Sequence, residues 1–187
     1  MSGDPRDHIL ATALKLVGEQ GMARTSMADI ASGSGVSRAT VYRYFPGGKD
    51  EVMESMVAWE QFRFLERLRD AVDDAPDLES LCDRALLVAK RQVDSHEQLQ
   101  RVLASEPERL FAVFTRTGAR MTTLIARYLL RRLRDSGRVP SGVDAVWLAD
   151  ELARSFFSYV GSPGPWDLED PDHRKVLVTR YLLAGIR

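Results

Sequence analysis

Residues 26–45 read Ser-Met-Ala-Asp-Ile-Ala-Ser-Gly-Ser-Gly-Val-Ser-Arg-Ala-Thr-Val-Tyr-Arg-Tyr-Phe. Ser26 stands three residues before Asp29, the spacing of a capping box, and Met27, Ile30 and Ala31 follow as the inward side of a short helix. Gly33-Ser34-Gly35 breaks that helix. Ser37 then caps a second one, which carries Val41 and Phe45 on one side and Arg38, Thr40 and Arg43 around the other. Helix, glycine turn and short helix with an uncharged or basic outer face form a device for presenting side chains to the DNA major groove.

Outward from this stretch the chain continues to read as helix. Ile9, Leu10, Ala13, Leu14, Leu16 and Val17 recur at helical spacing, with Gly21 as the stop, so a first helix precedes the turn unit. Pro46-Gly47-Gly48 ends the third helix, and Asp50 and Glu51 favour the positive end of a fourth that runs to about Val72. Further helices are expected over 78–93, 96–104, 109–134 and 143–160, with a last one from Pro171 carrying Val176, Leu177, Tyr181 and Leu182. Gly161-Ser162-Pro163-Gly164-Pro165 separates the last two. The fold class is therefore all-α: a helix-turn-helix, three-helix head over residues 1–49 joined to a larger helical domain over 50–187, whose ligand-binding and dimerisation roles are implied only by family resemblance.

Composition narrows the partners. The 187 residues carry a formal net charge of −1, which suits a polyanion binder only if the positive charge is local. It is local here: between Ser34 and Lys49 stand Arg38, Arg43 and Lys49 with no acidic residue. The single Cys82 excludes an intramolecular disulfide and a multi-cysteine metal knuckle, and reads as a buried structural thiol in a reducing cytoplasm. No segment approaches the roughly 20 apolar residues of a membrane span, so a soluble cytoplasmic protein without membrane partners is expected.

In a unit of this kind the second helix lies across the phosphate backbone and the third enters the groove. Ser37, Arg38, Ala39, Thr40 and Arg43 are the candidates for base edges. Arg38 suits a bidentate pair with guanine, and Thr40 or Ala39 a thymine methyl. Tyr42, Tyr44, Thr25, Ser26 and Lys49 fit phosphate contacts, which set position more than sequence preference. Ile30, Val36, Val41 and Phe45 are assigned to the core of the head.

Three segments resemble the N-terminal signature of the TetR family of bacterial transcriptional regulators: Thr25-Ser-Met-Ala-Asp-Ile-Ala, Gly35-Val-Ser-Arg-Ala-Thr-Val-Tyr-Arg-Tyr-Phe and Lys49-Asp-Glu-Val. The resemblance is specific over residues 9–56. It places the family's backbone-contacting tyrosine on Tyr42, its groove-facing positions on Ser37 to Thr40 and Tyr44, and its helix-four lysine on Lys49. Two departures stand out: Ser34 at a common alanine position, and one extra residue in Pro46-Gly47-Gly48 before the lysine.

The resemblance implies a homodimer on double-stranded DNA with a palindromic operator, paired through its last two long helices, where Trp147, Phe156, Phe157, Val176 and Tyr181 supply apolar groups beside Val143 and Val146. It also implies a small-molecule effector of unspecified class in the second module, with Met56, Trp59, Phe62, Phe111, Phe114, Thr115 and Met121 as the lining. The alternative is a helical dimeric protein-interaction module without ligand response.

Nothing in the sequence recommends catalysis. His8, His96 and His173 lie at no recognisable metal spacing to each other, to Cys82 or to a carboxylate. Glu106 and Glu108 flank Pro107 and read as exposed loop acids, and no phosphate loop or dinucleotide fingerprint is present. The expectation is a regulator with no enzymatic activity, no cofactor and no metal.

Overall fold

Asp4 starts the first helix by accepting a hydrogen bond from the Arg6 amide at 2.9 Å, with Pro5 at a position where its missing N–H costs nothing. Helix α1 then runs Pro5–Gln20. The computed structural model describes residues 4–137, 139, 141–162 and 164–184; Pro163, in the spacer before the last helix, lies outside them. The described elements that follow are α2 (Met27–Gly33), α3 (Arg38–Tyr44), α4 (Gly48–Val72), α5 (Leu78–Ser95), α6 (Glu97–Ser105), α7 (Pro107–Ser136), α8 (Ala145–Gly161) and α9 (Pro171–Leu177). The last continues as a wide π turn over Val178–Leu182. Asp144 and Asp170 cap α8 and α9 by accepting from backbone amides in their first turns. The same amide bonds hold the Asp170 carboxyl below its ordinary pKa.

The helices divide into two compact units, and the division does not follow a 49/50 boundary. One unit takes the chain up to Arg63 together with Val93–Gly118; the other takes Phe64–Gln92 and the chain from Ala119 onward. The reason is apolar supply. Ile9, Leu10, Ala13, Ile30, Val41 and Phe45 are buried in the first unit, but Val52, Met53, Met56 and Val57 of α4, Val102 of α6, and Leu110 and Val113 of α7 complete the same core. Three short helices alone would leave that face bare. Each fully buried Ile, Leu or Phe here contributes about 1.5–3 kcal/mol by leaving water.

The second unit is built around Leu68 and Val72 of α4, Leu81, Leu86 and Ala89 of α5, Ile125, Leu129 and Leu133 of α7, Ala149, Leu152, Ala153 and Phe156 of α8, and Leu177 of α9. Its buried Arg174 is paired: it donates from Nε to Asp83 Oδ1 at 2.8 Å and from Nη1 to the carbonyls of Leu168 and Glu169 at 2.9 and 3.0 Å. Cys82 sits in this core, where burial first, and the neighbouring carboxylates of Asp83 and Glu79 second, push its thiol up to about 12. It is therefore an inert packing group at neutral pH. Among the described residues no helix is long and apolar enough to cross a membrane.

Candidate nucleic-acid interface

The turn between α2 and α3 is set by backbone chemistry that only its glycine permits. The Gly35 amide donates to the Ser32 carbonyl at 3.2 Å and the Val36 amide to the Ala31 carbonyl at 3.1 Å, the paired bonds of a Schellman stop. This places Gly35 at φ +66°, a left-handed conformation that a side chain would strain. Ser34 is buried beside it, and its hydroxyl donates to the Ile30 carbonyl at 2.6 Å. The serine at a common alanine position is thus satisfied within α2.

At the N-terminus of α2 both halves of the capping box form. The Ser26 hydroxyl accepts from the Asp29 amide at 3.2 Å, and Asp29 Oδ2 accepts from the Ser26 amide at 2.8 Å. The Ser26 hydroxyl, then its amide, hold the Asp29 carboxyl below its ordinary pKa. Ser37 caps α3 in the same way, accepting from the Thr40 amide at 3.1 Å, and its hydroxyl lies 3.0 Å from that of Thr40.

Capping fixes the rotation of α3. Val41 and the following Phe45 are fully buried, while Ser37, Arg38, Ala39, Tyr42 and Arg43 are exposed, with Thr40 and Tyr44 half-buried. The Arg43 guanidinium lies over the Tyr44 ring at 5.4 Å, which restrains both. Behind them, Arg6 of α1 covers the Phe45 ring at 5.2 Å and donates to Ser55 Oγ of α4 at 3.2 Å.

Two of the residues assigned to phosphate stand differently. Thr25 is fully buried, and its hydroxyl donates to the Gly21 carbonyl at 2.8 Å, so the side chain holds the α1–α2 turn and is not presented to DNA. Lys49 donates from Nζ to the Ala23 carbonyl at 2.8 Å. Neither bond was visible in sequence spacing, since one is made by a small polar residue turned inward and the other spans the whole of α2 and α3.

The residues assigned to an effector fall in both units and in different surroundings. Met56 is buried in the core of the first unit, and Phe114 packs half-buried against that core. Trp59 is half-buried under the Arg63 guanidinium at 4.6 Å. Phe62 and Phe111 are exposed, Thr115 donates its hydroxyl to the Ala112 carbonyl, and Met121 is buried in the second unit. Along α4, Met56 and Phe62 differ in burial because six residues turn the side chain about 120° around the helix.

The residues assigned to pairing also separate. Phe156 is a core residue of the second unit, with the half-buried Phe157 edge-on to it at 5.7 Å, and Val176 is half-buried. Trp147 is 75% exposed and Tyr181, edge-on to Trp166 at 5.4 Å, is 57% exposed. Val143, just before the helix, and Val146 in its first turn are exposed with Trp147, and Trp147 lies on the side of α8 opposite Ala149, Leu152, Ala153 and Phe156.

A capped helix, a Schellman turn and a second capped helix with a solvent-facing, acid-free surface define a helix-turn-helix, DNA-binding transcriptional regulator. Residues 9–56 match the family described as "Bacterial regulatory proteins, tetR family". The chain is 31% identical over 157 residues to the HTH-type transcriptional regulator EthR of Mycolicibacterium smegmatis, covering 81% of this chain and 71% of that protein. It belongs to the TetR family. The fold is similar to that of the TetR family repressor AlkX from Dietzia sp., implicated in biodegradation of n-alkanes (TM-score 0.69, 19% identity, 96% of this chain and 98% of that one). It is also similar to SmeT in its triclosan complex (TM-score 0.61, 24% identity, 97% and 90%).

Proposed function

We propose that this chain is a homodimeric repressor that holds a palindromic operator through the start of α3 and leaves it when a small molecule binds the helical remainder. The observation that carries the reading is the orientation of α3: Ser37, Arg38 and Ala39 face solvent while Val41 and Phe45 are sealed in the core. Side chains at that end are the ones that reach base edges. Membership of a family whose members are dimeric, DNA-binding and typically effector-responsive supports the rest, as do the description of AlkX as a repressor and the triclosan complex of SmeT.

The exposed Val143, Val146 and Trp147 supply an apolar face for a second copy. Two heads must then meet half-sites about 34–36 Å apart, so a modest change in head separation costs affinity. An effector needs only to bind the DNA-incompetent arrangement more tightly than the competent one. The protein acts in this reading by binding alone, without catalysis.

Titration with duplex DNA recovered by genomic footprinting tests the proposal. Sequence-preferring binding that weakens steeply with salt, by a dimer in sedimentation, is the expected result. A dimer with no preference among duplexes would favour a protein-interaction module instead.

A further inference from the structure

The α1–α2 turn of the first unit is held by a residue that the DNA-binding signature does not include. The Ala23 amide donates to both carboxylate oxygens of Glu106, at 3.2 and 3.4 Å, across 83 positions of sequence. On the other side of the same residue, the Ala23 carbonyl accepts from Lys49 Nζ at 2.8 Å. Glu106 lies at the corner where α6 ends and α7 begins. Its own amide closes α6 by donating to the Val102 carbonyl at 2.8 Å. Arg109 braces its carboxylate at 3.3 Å, and the side chain is only 18% exposed.

The turn is shaped to admit this carboxylate. A Cβ at Gly21 would lie 2.2 Å from Glu106 Oε1, and the φ of +87° there already disfavours a side chain. One turn earlier on α1, a Cβ at Gly18 would lie 2.6 Å from Gln98 Cγ of α6. Two glycines therefore give α6 and its corner close access to α1 and to the turn that leads into α2.

We infer that Glu106 is a positioning residue for the DNA-reading head: together with Lys49 it grips Ala23 from both ends and sets the angle at which α2 and α3 leave α1. The inference rests on the operator-binding reading above. An anionic acceptor and a cationic donor on opposite ends of one residue make both hydrogen bonds charge-assisted. Lys49 acts in this arrangement as a strut between α4 and the α1–α2 turn and not as a phosphate ligand. The corner of α6 and α7 thereby becomes part of the apparatus that orients the recognition helix, although it approaches no base.

Salt dependence separates a strut from a phosphate contact, because each phosphate neutralised adds about −0.9 to the slope of log K against log salt concentration. The experiment measures duplex affinity from low to moderate salt for the unsubstituted protein, Lys49→Met, Glu106→Ala and Glu106→Gln. The inference expects Lys49→Met and Glu106→Ala to weaken binding about tenfold on every duplex with the slope unchanged. Glu106→Gln, which keeps an oxygen acceptor for the Ala23 amide, should recover most of the loss, and its recovery distinguishes lost positioning from failure to fold. Amide exchange in the free protein should show the Ala23 N–H released in Glu106→Ala while Leu177 in the second unit stays protected.

A slope shallower by about 0.9 in Lys49→Met would make Lys49 a phosphate ligand and overturn the inference while leaving the operator reading intact. Unchanged affinity in Glu106→Ala would do the same. Absence of sequence-preferring binding by the unsubstituted protein would instead remove the operator reading, and the inference with it.

Discussion

The start of α3 and the start of α8 both hold side chains in water, but chemically they are opposites. On α3 the outward residues are Ser37, Arg38, Ala39, Tyr42 and Arg43, polar or cationic for the most part, with no acid between Ser34 and Lys49. At α8 they are Val146 and Trp147, with Val143 just before the helix. Water solvates the first surface well, and a polyanionic partner that meets it gains by releasing its own condensed counterions. The second is poorly solvated in isolation and gains by meeting another apolar surface. Val41 and Phe45 anchor the one helix in its core, and Ala149, Leu152, Ala153 and Phe156 the other, leaving the outward residues exposed. The chemistry of those residues decides what they meet.

The sharpest way to break this contrast is to unfold one side of it. Phe45→Ala removes a fully buried ring from the core of the first unit and should cost about 3–5 kcal/mol, read as a fall in thermal unfolding midpoint. DNA binding should be lost while sedimentation still reports a dimer. Loss of both together would mean that the two surfaces are not independent. Next in size, Trp147→Glu places a charge on the apolar face of α8. It should weaken self-association by about 2 kcal/mol or more, measured by dilution in sedimentation, with little change in far-ultraviolet dichroism. A dimer untouched by this change would move the pairing surface elsewhere.

The smallest effect sharpens the polar side. Ser26→Ala removes the acceptor for the Asp29 amide and should cost about 1 kcal/mol. The partnership has a pH signature. Because the folded Asp29 pKa lies below its ordinary value of 3.8, its contribution is fully present above that value and is lost as pH falls through the lower, folded one. The acid limb of a stability curve should therefore be shallower in Asp29→Asn, and an identical limb in the two proteins would count against the capping box as a source of stability.

Much of the fold was legible because it rests on local chemistry. The Ser26–Asp29 spacing, the Gly35 stop and the Ser37 cap each act within five residues, and the structure places all three as their spacing predicts. What sequence could not supply was long-range partnership. Thr25 reads as a surface hydroxyl until the Gly21 carbonyl claims it, and Lys49 as a free cation until the Ala23 carbonyl does. Glu106 beside Pro107 has the local look of a loop acid, yet it is mostly buried against a turn 83 residues away. The extent of the first unit was hidden for the same reason, since Val102, Leu110 and Val113 join its core from helices that follow it by half the chain. Periodicity identified Phe156 and Trp147 alike as apolar residues of α8, and only packing separated the buried one from the exposed one.

In the proposed function Arg38 is the residue on which base reading most depends, so its removal is the most direct test. Affinities of the unsubstituted protein and Arg38→Ala should be measured at fixed salt for the preferred operator and for a panel of duplexes altered one base pair at a time. Expected are a loss of about 1–3 kcal/mol on the preferred operator, little loss on duplexes already altered at the base pair Arg38 reads, and a collapse of preference at that position. An equal loss on every duplex would contradict this reading, reducing Arg38 to a general cation and leaving the exposed start of α3 without a role in reading sequence.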